Sequence, residues 1–592
     1  MKTVPPRPRS GHQLNSQNAL HTESSAAGRL DNSTGAEHGT TAFRKQLKDE
    51  AKQRKAAKTS RLGVEANERW ELTVGIEIHA QLNAAKKLFS SAASSIDDEP
   101  NAHVALFDVA IPGSQPHFQK ETLIPALRAA LALNCDIQRT SRFDRKHYFH
   151  WDQPAGYQIT QYYEPFAKDG YIILHSHDGI AKEDGDEICI GIKQIQMEQD
   201  TGKTITKPGI HHLVDFNRAG VPLIEIITLP QIHHPSTAAA LVNKIQLLLK
   251  AVDACVVGME SGGLRADVNV SVRRRVCGAK AGHGYAGTEP LGRRTEIKNL
   301  SSFKSIKDAI IAERDRQIAV LEAGDVIEGE TRGWKLGSSK TTRLRGKEGE
   351  VDYRYMPDPD LAPVIIGDDL IAHLKNNMGI SPDDELRLLT KEYGLTMKDA
   401  LSLISLNNGC RVEYFYKVVD YVSKLGAQPD SPKFVGKVCG NWVLHELGGL
   451  GRAETNQLNE VNMFRMDHEG NCIVPAEQMA TIIHYLLTKL ITGKTAKILL
   501  STVLNNEIAG ISKPVRDIIE EGNMWFRPMS PLEYEELARG VLDTAIVEQI
   551  LQGQNGKIMF LVGQMMRRGE EGRIDPKEAE KVIRRVVEEF RG

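Results

Sequence analysis

Four short segments of this 592-residue chain place charged or chelating side chains at every second position. That is the spacing at which a β-strand turns side chains onto one face. In Val74–Leu82, VGIEIHAQL, Glu77 and His79 share a face, about 6.6–6.8 Å apart along a strand, while Val74, Ile76, Ile78, Ala80 and Leu82 take the other. In Gln194–Asp200, QIQMEQD, Ile195 and Met197 alternate with Gln194, Gln196 and Glu198. Asp267–Arg273 lines up Asp267, Asn269, Ser271 and Arg273, and Thr295–Asn299 puts Glu296 beside Lys298. Carboxylates converging on one sheet face repel unless cations sit between them. Oxygen ligands with one imidazole suit Mg²⁺ or Mn²⁺, and Mg²⁺ between carboxylates commonly serves a nucleoside triphosphate. Periodicity alone does not bring the four faces together, and the solvated outer faces of unrelated strands fit the pattern equally.

A second cluster, Phe143–Gln161 (FDRKHYFHWDQPAGYQITQ), crowds Arg145, Lys146, His147, Tyr148, His150 and Trp151 before a Pro/Gly turn. Basic and aromatic residues interleaved on a loop suit a nucleotide or an RNA end, through charge and stacking. A capped turn with half-buried aromatics fits the same residues. A third stretch, DYRYMPDPD, holds Tyr353, Arg354 and Tyr355 before a Pro-stiffened acidic turn, and residue types assign it no function. Gly493–Lys494–Thr495 has the tail of a P-loop without its opening glycine, since position 488 is Thr. No G-x-S-x-G elbow is present, and no recognisable amidase or Cys-glutaminase motif. Ammonia, if the reaction needs it, comes from another chain.

Residues 70–365 are rich in β-like runs, among them GYIILHS, EICIGIKQIQM and VPLIEIIT. Helical patterns interrupt them at 120–133, 237–251 and 303–322. This predicts an α+β fold with a large, mostly antiparallel sheet over 70–365. After Pro363 the patterns become helical, with charged faces and Gly stops. They predict an all-α helical domain over 366–475 and a helical tail domain over 476–592. The linker-like GAQPDSPK (426–433) falls within the former.

Composition narrows the class. The chain has 75 Lys+Arg against 77 Asp+Glu, a net charge of −2, with 41% hydrophobic and 26% charged residues. These values exclude collagen-like, mucin-like and wholly disordered chains. No run of about 18 apolar residues exists, so no membrane span is expected. The charge is uneven. Residues 1–61 hold 12 basic and 5 acidic residues, or +7, and the remaining 63 basic and 72 acidic residues carry −9. The leader, 1–69, is Ser- and Asn-rich with no apolar core, and so is not a secretory signal. It reads either as a mitochondrial import segment ending in a basic helical arm at 43–58, or as a plain disordered tail. The seven cysteines include no C-x-x-C pair and are odd in number. They read as reduced thiols of a matrix or cytosolic protein, not a zinc ribbon.

VGIEIHAQLNAAKKLFSSA (74–92), IPGSQP (111–116), MEQDTGK (197–203), LVDFNRAGVPLIEI (213–226), MESGGLRADVNVSVR (259–273), RTEIKNLSSFKSI (294–306) and DYRYMPDPDLAP (352–363) stand in order along the chain, together with the Phe143–Gln161 cluster. They resemble the B-subunit family of the glutamyl-tRNA(Gln) amidotransferases in its mitochondrial form, over about residues 70–592. The end, MFLVGQMMRRGEEGRIDP (559–576), resembles the family's tail. The resemblance implies a ligase that uses ATP and Mg²⁺ to convert the γ-carboxylate of Glu-tRNA(Gln) to a γ-glutamyl phosphate. Ammonia from a separate glutaminase (amidase) chain, the A-subunit, then displaces phosphate and gives Gln-tRNA(Gln) for mitochondrial translation. The resemblance also implies a location in the mitochondrial matrix and a third small subunit.

By motif, the resemblance makes His79 and Glu198 metal ligands, with Asp267 and Glu296 completing a nearby site. Glu77 ligates metal or lines the ammonia path. Lys146 and Tyr148 fall near the tRNA acceptor end, and Lys298 near phosphate. Arg145, Asn269 and Arg273 bind or orient substrate. Near their Gly-rich turn, Arg567, Arg568 and Arg573 read either as contacts to tRNA phosphates or as a solvated helix end. The chain departs from the family where Gln199 replaces an acid, leaving Asp200 to compensate. It departs again where His147, His150 and Trp151 stand, and in an expanded Gly-rich stretch between Arg275 and Arg293. It lacks the cysteine spacing with which some relatives bind zinc. The alternative to a catalytic role is a non-catalytic tRNA-binding scaffold for the amidase, which has no need of Glu77, His79, Glu198, Asp267 and Glu296 together.

Overall fold

The computed structural model describes residues 69–592 except 96–97, 207–211, 257, 260–261, 276–290, 347–352, 427–431, 454–465, 468–469, 528, 552–553, 555, 570–573 and 590–592. The leader with its expected helix at 43–58, most of the Gly-rich stretch after Arg275, most of the 426–433 linker and Arg573 lie outside the described residues.

The strands are β1 (Trp70–Gln81), β2 (Asp136–Ile137), β3 (Thr140–Ser141), β4 (Asp144–His147), β5 (Tyr157–Thr160), β6 (Ala167–His175), β7 (Glu187–Gln199) and β8 (Lys203–Thr206). They continue with β9 (His212–Asp215), β10 (Pro222–Thr228), β11 (Leu264–Arg274), β12 (Thr295–Leu300), β13 (Glu330–Gly333), β14 (Thr342–Gly346), β15 (Met356–Pro357) and β16 (Val364–Ile365). Twelve of them form one sheet in the order β14-β13-β12-β11-β1-β10-β7-β5-β4-β15, with β6 on β7 and β2 on β6. Its pairings are antiparallel except β12 with β13.

The alternation predicted for β1 is its burial pattern. Val74, Ile76, Ile78 and Ala80 are buried, while Glu77 and His79 are half-buried. Three helices pack on the sheet, within two or three residues of the expected bounds: α1 (Leu123–Ala132) against β2, α2 (Pro235–Ala251) against β1 and β6, and α3 (Phe303–Glu322) against β11 and β12. Local signals explain those bounds. Pro235 occupies the first helical position of α2, where its missing N–H costs nothing. Ser302 accepts from the backbone N–H of Ser305, and Ser305 accepts in return from Ser302, closing the start of α3.

Register then places the chemistry. Glu77 lies opposite Asp267 on β11, and His79 opposite Glu225 on β10. Leu223 of β10 and Thr160 of β5 both lie opposite Glu198 of β7. Fully buried Lys87 donates to Asp108 Oδ2 at 2.8 Å and to the carbonyl of Phe216, in the loop between β9 and β10, at 3.0 Å, and so ties the stretch after β1 to that loop.

The last strand ends at Ile365, and the chain beyond Asp368 is helical. One apolar core there runs from Leu386 to Ile519, and a second from Tyr534 to Val587. The boundary expected near 475 therefore falls inside the first core. The helix Ala476–Leu487 packs on Cys410–Lys424, burying Met479, Ala480 and Ile483 with Tyr414 and Phe415. The break between cores lies between Ile519 and Tyr534. No helix among the described residues is long and apolar enough to cross a membrane. The six described cysteines are free.

Candidate active site

Three neighbouring strands contribute one side chain each to a compact cluster: His79 from β1, Glu198 from β7 and Glu225 from β10. Their ligand atoms all lie within 4.8 Å of one another. His79 Nε2 is 3.9 Å from both Glu198 Oε1 and Glu225 Oε1, and both carboxylates are buried. Glu198 Oε1 accepts from Gln158 Nε2 at 3.1 Å, but Glu198 Oε2 has no hydrogen-bond partner. Glu225 Oε2 accepts from Gln196 Nε2 at 2.7 Å. Burial pushes the Glu225 carboxyl up to about 7, with His79 opposing the shift and Glu198 reinforcing it. A buried carboxylate oxygen without a donor, beside a second carboxylate and an imidazole, is the donor set of a hard divalent cation. His79, Glu198 and Glu225 thus fit Mg²⁺ or Mn²⁺.

Lys146, from β4, places Nζ 3.6 Å from Glu198 Oε2 and 5.3 Å from the centre of the Tyr353 ring. Burial works against its charge, but Glu198 and Glu225 outweigh that and hold the ammonium above its ordinary pKa. Tyr148 donates to Asp152 Oδ2 at 3.3 Å, and burial with Asp152 pushes its hydroxyl up to about 12. It therefore remains a hydrogen-bond donor at neutral pH.

Across the floor lies a second group, one ammonium between two carboxylates. Lys298 Nζ is 3.0 Å from Glu296 Oε1 and 3.4 Å from Asp267 Oδ2. Asp267 Oδ1 accepts from the Asn299 backbone at 2.9 Å, and Glu296 Oε2 from Thr331 Oγ1 at 3.2 Å. Burial again opposes the charge of Lys298, and the two carboxylates overcome it. Glu77 accepts from Asn269 Nδ2 at 2.8 Å. The two groups meet in one cavity of about 700 Å³ lined by His79, Lys146, Tyr148, Glu198, Asp267 and Lys298.

Sequence reasoning and structure agree on that gathering and part on its grouping. Asp267 and Glu296 sit around Lys298 and not beside His79. Asp200 lines the cavity but is held by Arg265 at 2.8 Å and Arg218 at 3.6 Å, so it does not join the cation cluster in place of an acid at Gln199. Gln199 itself is buried, with Nε2 lacking a hydrogen-bond partner. Arg145 is turned away to Asp358 and Asp360, both at 2.8 Å, and ties β4 to the segment after β15. Arg273 pairs with Glu71 at 2.7 Å near the start of β1. Arg567 and Arg568 are exposed on the helix Gly556–Arg568, and Arg568 donates to the Gly540 carbonyl. Sequence reasoning misses Glu225. Its signal is a lone acid inside the apolar run PLIEIIT, where a buried charge needs a partner.

Residues 72–372 match the family model described as the GatB/GatE catalytic domain, and residues 426–587 match the GatB domain. The chain belongs to the GatB/GatE family. It is 57% identical over 564 residues to the mitochondrial glutamyl-tRNA(Gln) amidotransferase B-subunit of Fusarium vanettenii, covering 93% of this chain and 89% of that one. The corresponding proteins of Verticillium alfalfae and Neurospora crassa are 56% and 55% identical, over 93% and 92% of this chain and 88% and 86% of theirs. The GatB/GatE catalytic-domain match, 72–372, covers the residues of both charged groups of the cavity. These relatives are mitochondrial proteins by name, and this member of the family is mitochondrial too.

Proposed function

We propose that the chain is the component of a mitochondrial matrix glutamyl-tRNA(Gln) amidotransferase that activates the γ-carboxylate of Glu-tRNA(Gln) with ATP and hands it to ammonia. The observation that carries this reading is the pairing, in one cavity, of a cation-binding cluster with two ammonium groups held protonated. A carboxylate is a poor acyl donor because its oxygen is a poor leaving group. Phosphoryl transfer from ATP to the γ-carboxylate gives γ-glutamyl phosphate and ADP. Ammonia then attacks the carbonyl and phosphate leaves, giving Gln-tRNA(Gln). Catalysis of such a transfer is mostly positioning and charge neutralisation.

The chain's residues divide that work. His79, Glu198 and Glu225 would hold Mg²⁺, which when bound supplies positive charge to the triphosphate. Lys146 and Lys298 neutralise phosphoryl oxygens from two sides of the cavity. Gln158 and Gln196 hold the Glu198 and Glu225 carboxylates in place. Asn269 holds Glu77, and Tyr148 lines the cavity with its hydroxyl donated to Asp152. Ammonia reaches the site from a partner glutaminase, the A-subunit, and a third small subunit completes the assembly. Arg567 and Arg568 meet tRNA phosphates. A sheet cradle over 70–365 does the chemistry, and the helical remainder connects to and holds the tRNA. A scaffold that only held tRNA for the amidase would gain nothing from two buried carboxylates facing an imidazole, which cost stability when unpaired.

The test supplies ammonium salt in place of glutamine to the assembled complex with Glu-tRNA(Gln). The expected result is Gln-tRNA(Gln) formation with one ADP per amidation and none without ATP. Amidation that proceeds without ATP would overturn the reading.

A further inference from the structure

Phe149, in the turn between β4 and β5, and Leu344, in β14, are 78% and 60% exposed. They come from strands near opposite ends of the sheet order, yet both line the cavity that holds Lys146 and Lys298. The sheet must therefore curl until its two ends face one space. Each side chain lies over a glycine: a Cβ on Gly156 would meet the Phe149 ring at 3.7 Å, and one on Gly333 would meet Leu344 at 3.2 Å. The neighbouring aromatic is occupied. Trp151 stacks on His212 with centroids 5.2 Å apart and donates to Thr204 Oγ1 at 3.1 Å. With the bond from the Gly202 N–H to the Asp152 carbonyl at 2.7 Å, this fastens the β4–β5 turn to the β8–β9 hairpin. Trp151 anchors the turn, and Phe149 lines the cavity, its nearest aromatic partner among the described residues being His147, at 5.8 Å between centroids. The cavity is thus amphipathic, charged at its floor and apolar at two rim positions contributed from near opposite ends of the sheet order. A flat base with a phosphate-bearing sugar has the same division.

We propose that Phe149 and Leu344 clamp a purine base, with its phosphates or aminoacyl end directed to the Lys146 and Lys298 floor. The proposal rests on the function above. Under it two ligands carry such a base, ATP and the terminal adenosine of the tRNA, and both meet at this cavity. Phe149 supplies a π-face for stacking and Leu344 an apolar lid.

In the complete complex, KM for ATP and KM for Glu-tRNA(Gln) are measured separately for Phe149→Ala, Leu344→Ala and Phe149→Trp. Both side chains are exposed, so truncation opens no core. The expected result is a KM raised on the order of 10-fold for one substrate by Phe149→Ala. A smaller rise for the same substrate follows in Leu344→Ala, kcat stays within about twofold, and Phe149→Trp restores the parent KM. A rise for ATP assigns the clamp to the nucleotide, and a rise for Glu-tRNA(Gln) assigns it to the RNA end. Unchanged KM for both substrates in Phe149→Ala overturns the clamp. A second readout does not depend on turnover: 2-aminopurine riboside triphosphate, and tRNA ending in 2-aminopurine, are titrated with the wild type and Phe149→Ala. Quenching of one probe by the wild type and not by the variant supports the clamp even if the complex fails to amidate, which would count against the proposed function alone. Equal quenching by wild type and variant, or none by either, overturns the clamp.

Discussion

The sheet region and the helical region bury opposite kinds of side chain. Up to Ile365 the interior holds Lys87, Asp108, Asp184, Glu198, Asp200, Glu225, Lys244, Asp267 and Glu313. Among the described residues after it, Arg411 is the only buried charged side chain, and the cores are Leu, Ile, Val and aromatic. Charges there pair at the surface one turn apart, as Arg516 with Glu520 and Arg584 with Glu580, where such pairs contribute little. The helical region gains stability from apolar burial and presents charge to solvent. The sheet region gives up stability to hold desolvated charges, some paired within the chain and some facing a cavity that a ligand must complete. The buried charges of the cavity are incompletely satisfied, Glu198 Oε2 having no donor, whereas Lys87 and Asp108 satisfy each other inside the scaffold.

Three substitutions probe that contrast, from the largest expected effect to the smallest. Lys87→Met strands the Asp108 carboxylate in the interior and is expected to cost about 3–5 kcal/mol, read by urea denaturation. A cost near zero would mean the pair is not a structural pin. Leu499→Ala in the first helical core is expected to cost about 2–5 kcal/mol, toward the lower end because neighbouring helices can close in, while kcat per folded molecule is unchanged. A matching loss of kcat would erase the distinction between the regions. The third is Glu313→Gln. Burial pushes the Glu313 carboxyl up, but bonds from Arg316, Thr341 and Thr295 outweigh it and hold the group below 4.5. A depressed carboxyl stabilises the fold above its unfolded value, and that contribution is lost as pH falls through the folded one. Wild-type stability should therefore drop below about pH 4.5 more steeply than that of Glu313→Gln. Parallel pH profiles would show that Glu313 carries no such linkage.

What can be read from the residues follows from how local each signal is. Glu77 and His79 are legible because β1 is apolar at every intervening position, and α2 and α3 because Pro235 and Ser302 mark their starts. Glu225 is not, because its place beside His79 depends on the register of β10 against β1, which no single strand encodes. The spacing of Asp267, Glu296 and Lys298 is plain in the sequence, but their pairing depends on β11 and β12 lying side by side. The core that crosses position 475 rests on helices more than 50 residues apart in the chain, Cys410–Lys424 and Ala476–Leu487. That Phe149 and Leu344 line one cavity is equally hidden, since the turn and the strand that carry them lie near opposite ends of the sheet order.

The most direct test of the central claim replaces the cluster itself. His79→Ala and Glu198→Ala are assembled into the complex and given ATP, ammonium and Glu-tRNA(Gln). The account predicts that formation of Gln-tRNA(Gln) falls on the order of 1,000-fold in each, while tRNA affinity and assembly with the amidase stay at wild-type levels. Amidation at near wild-type rates in both variants would contradict it.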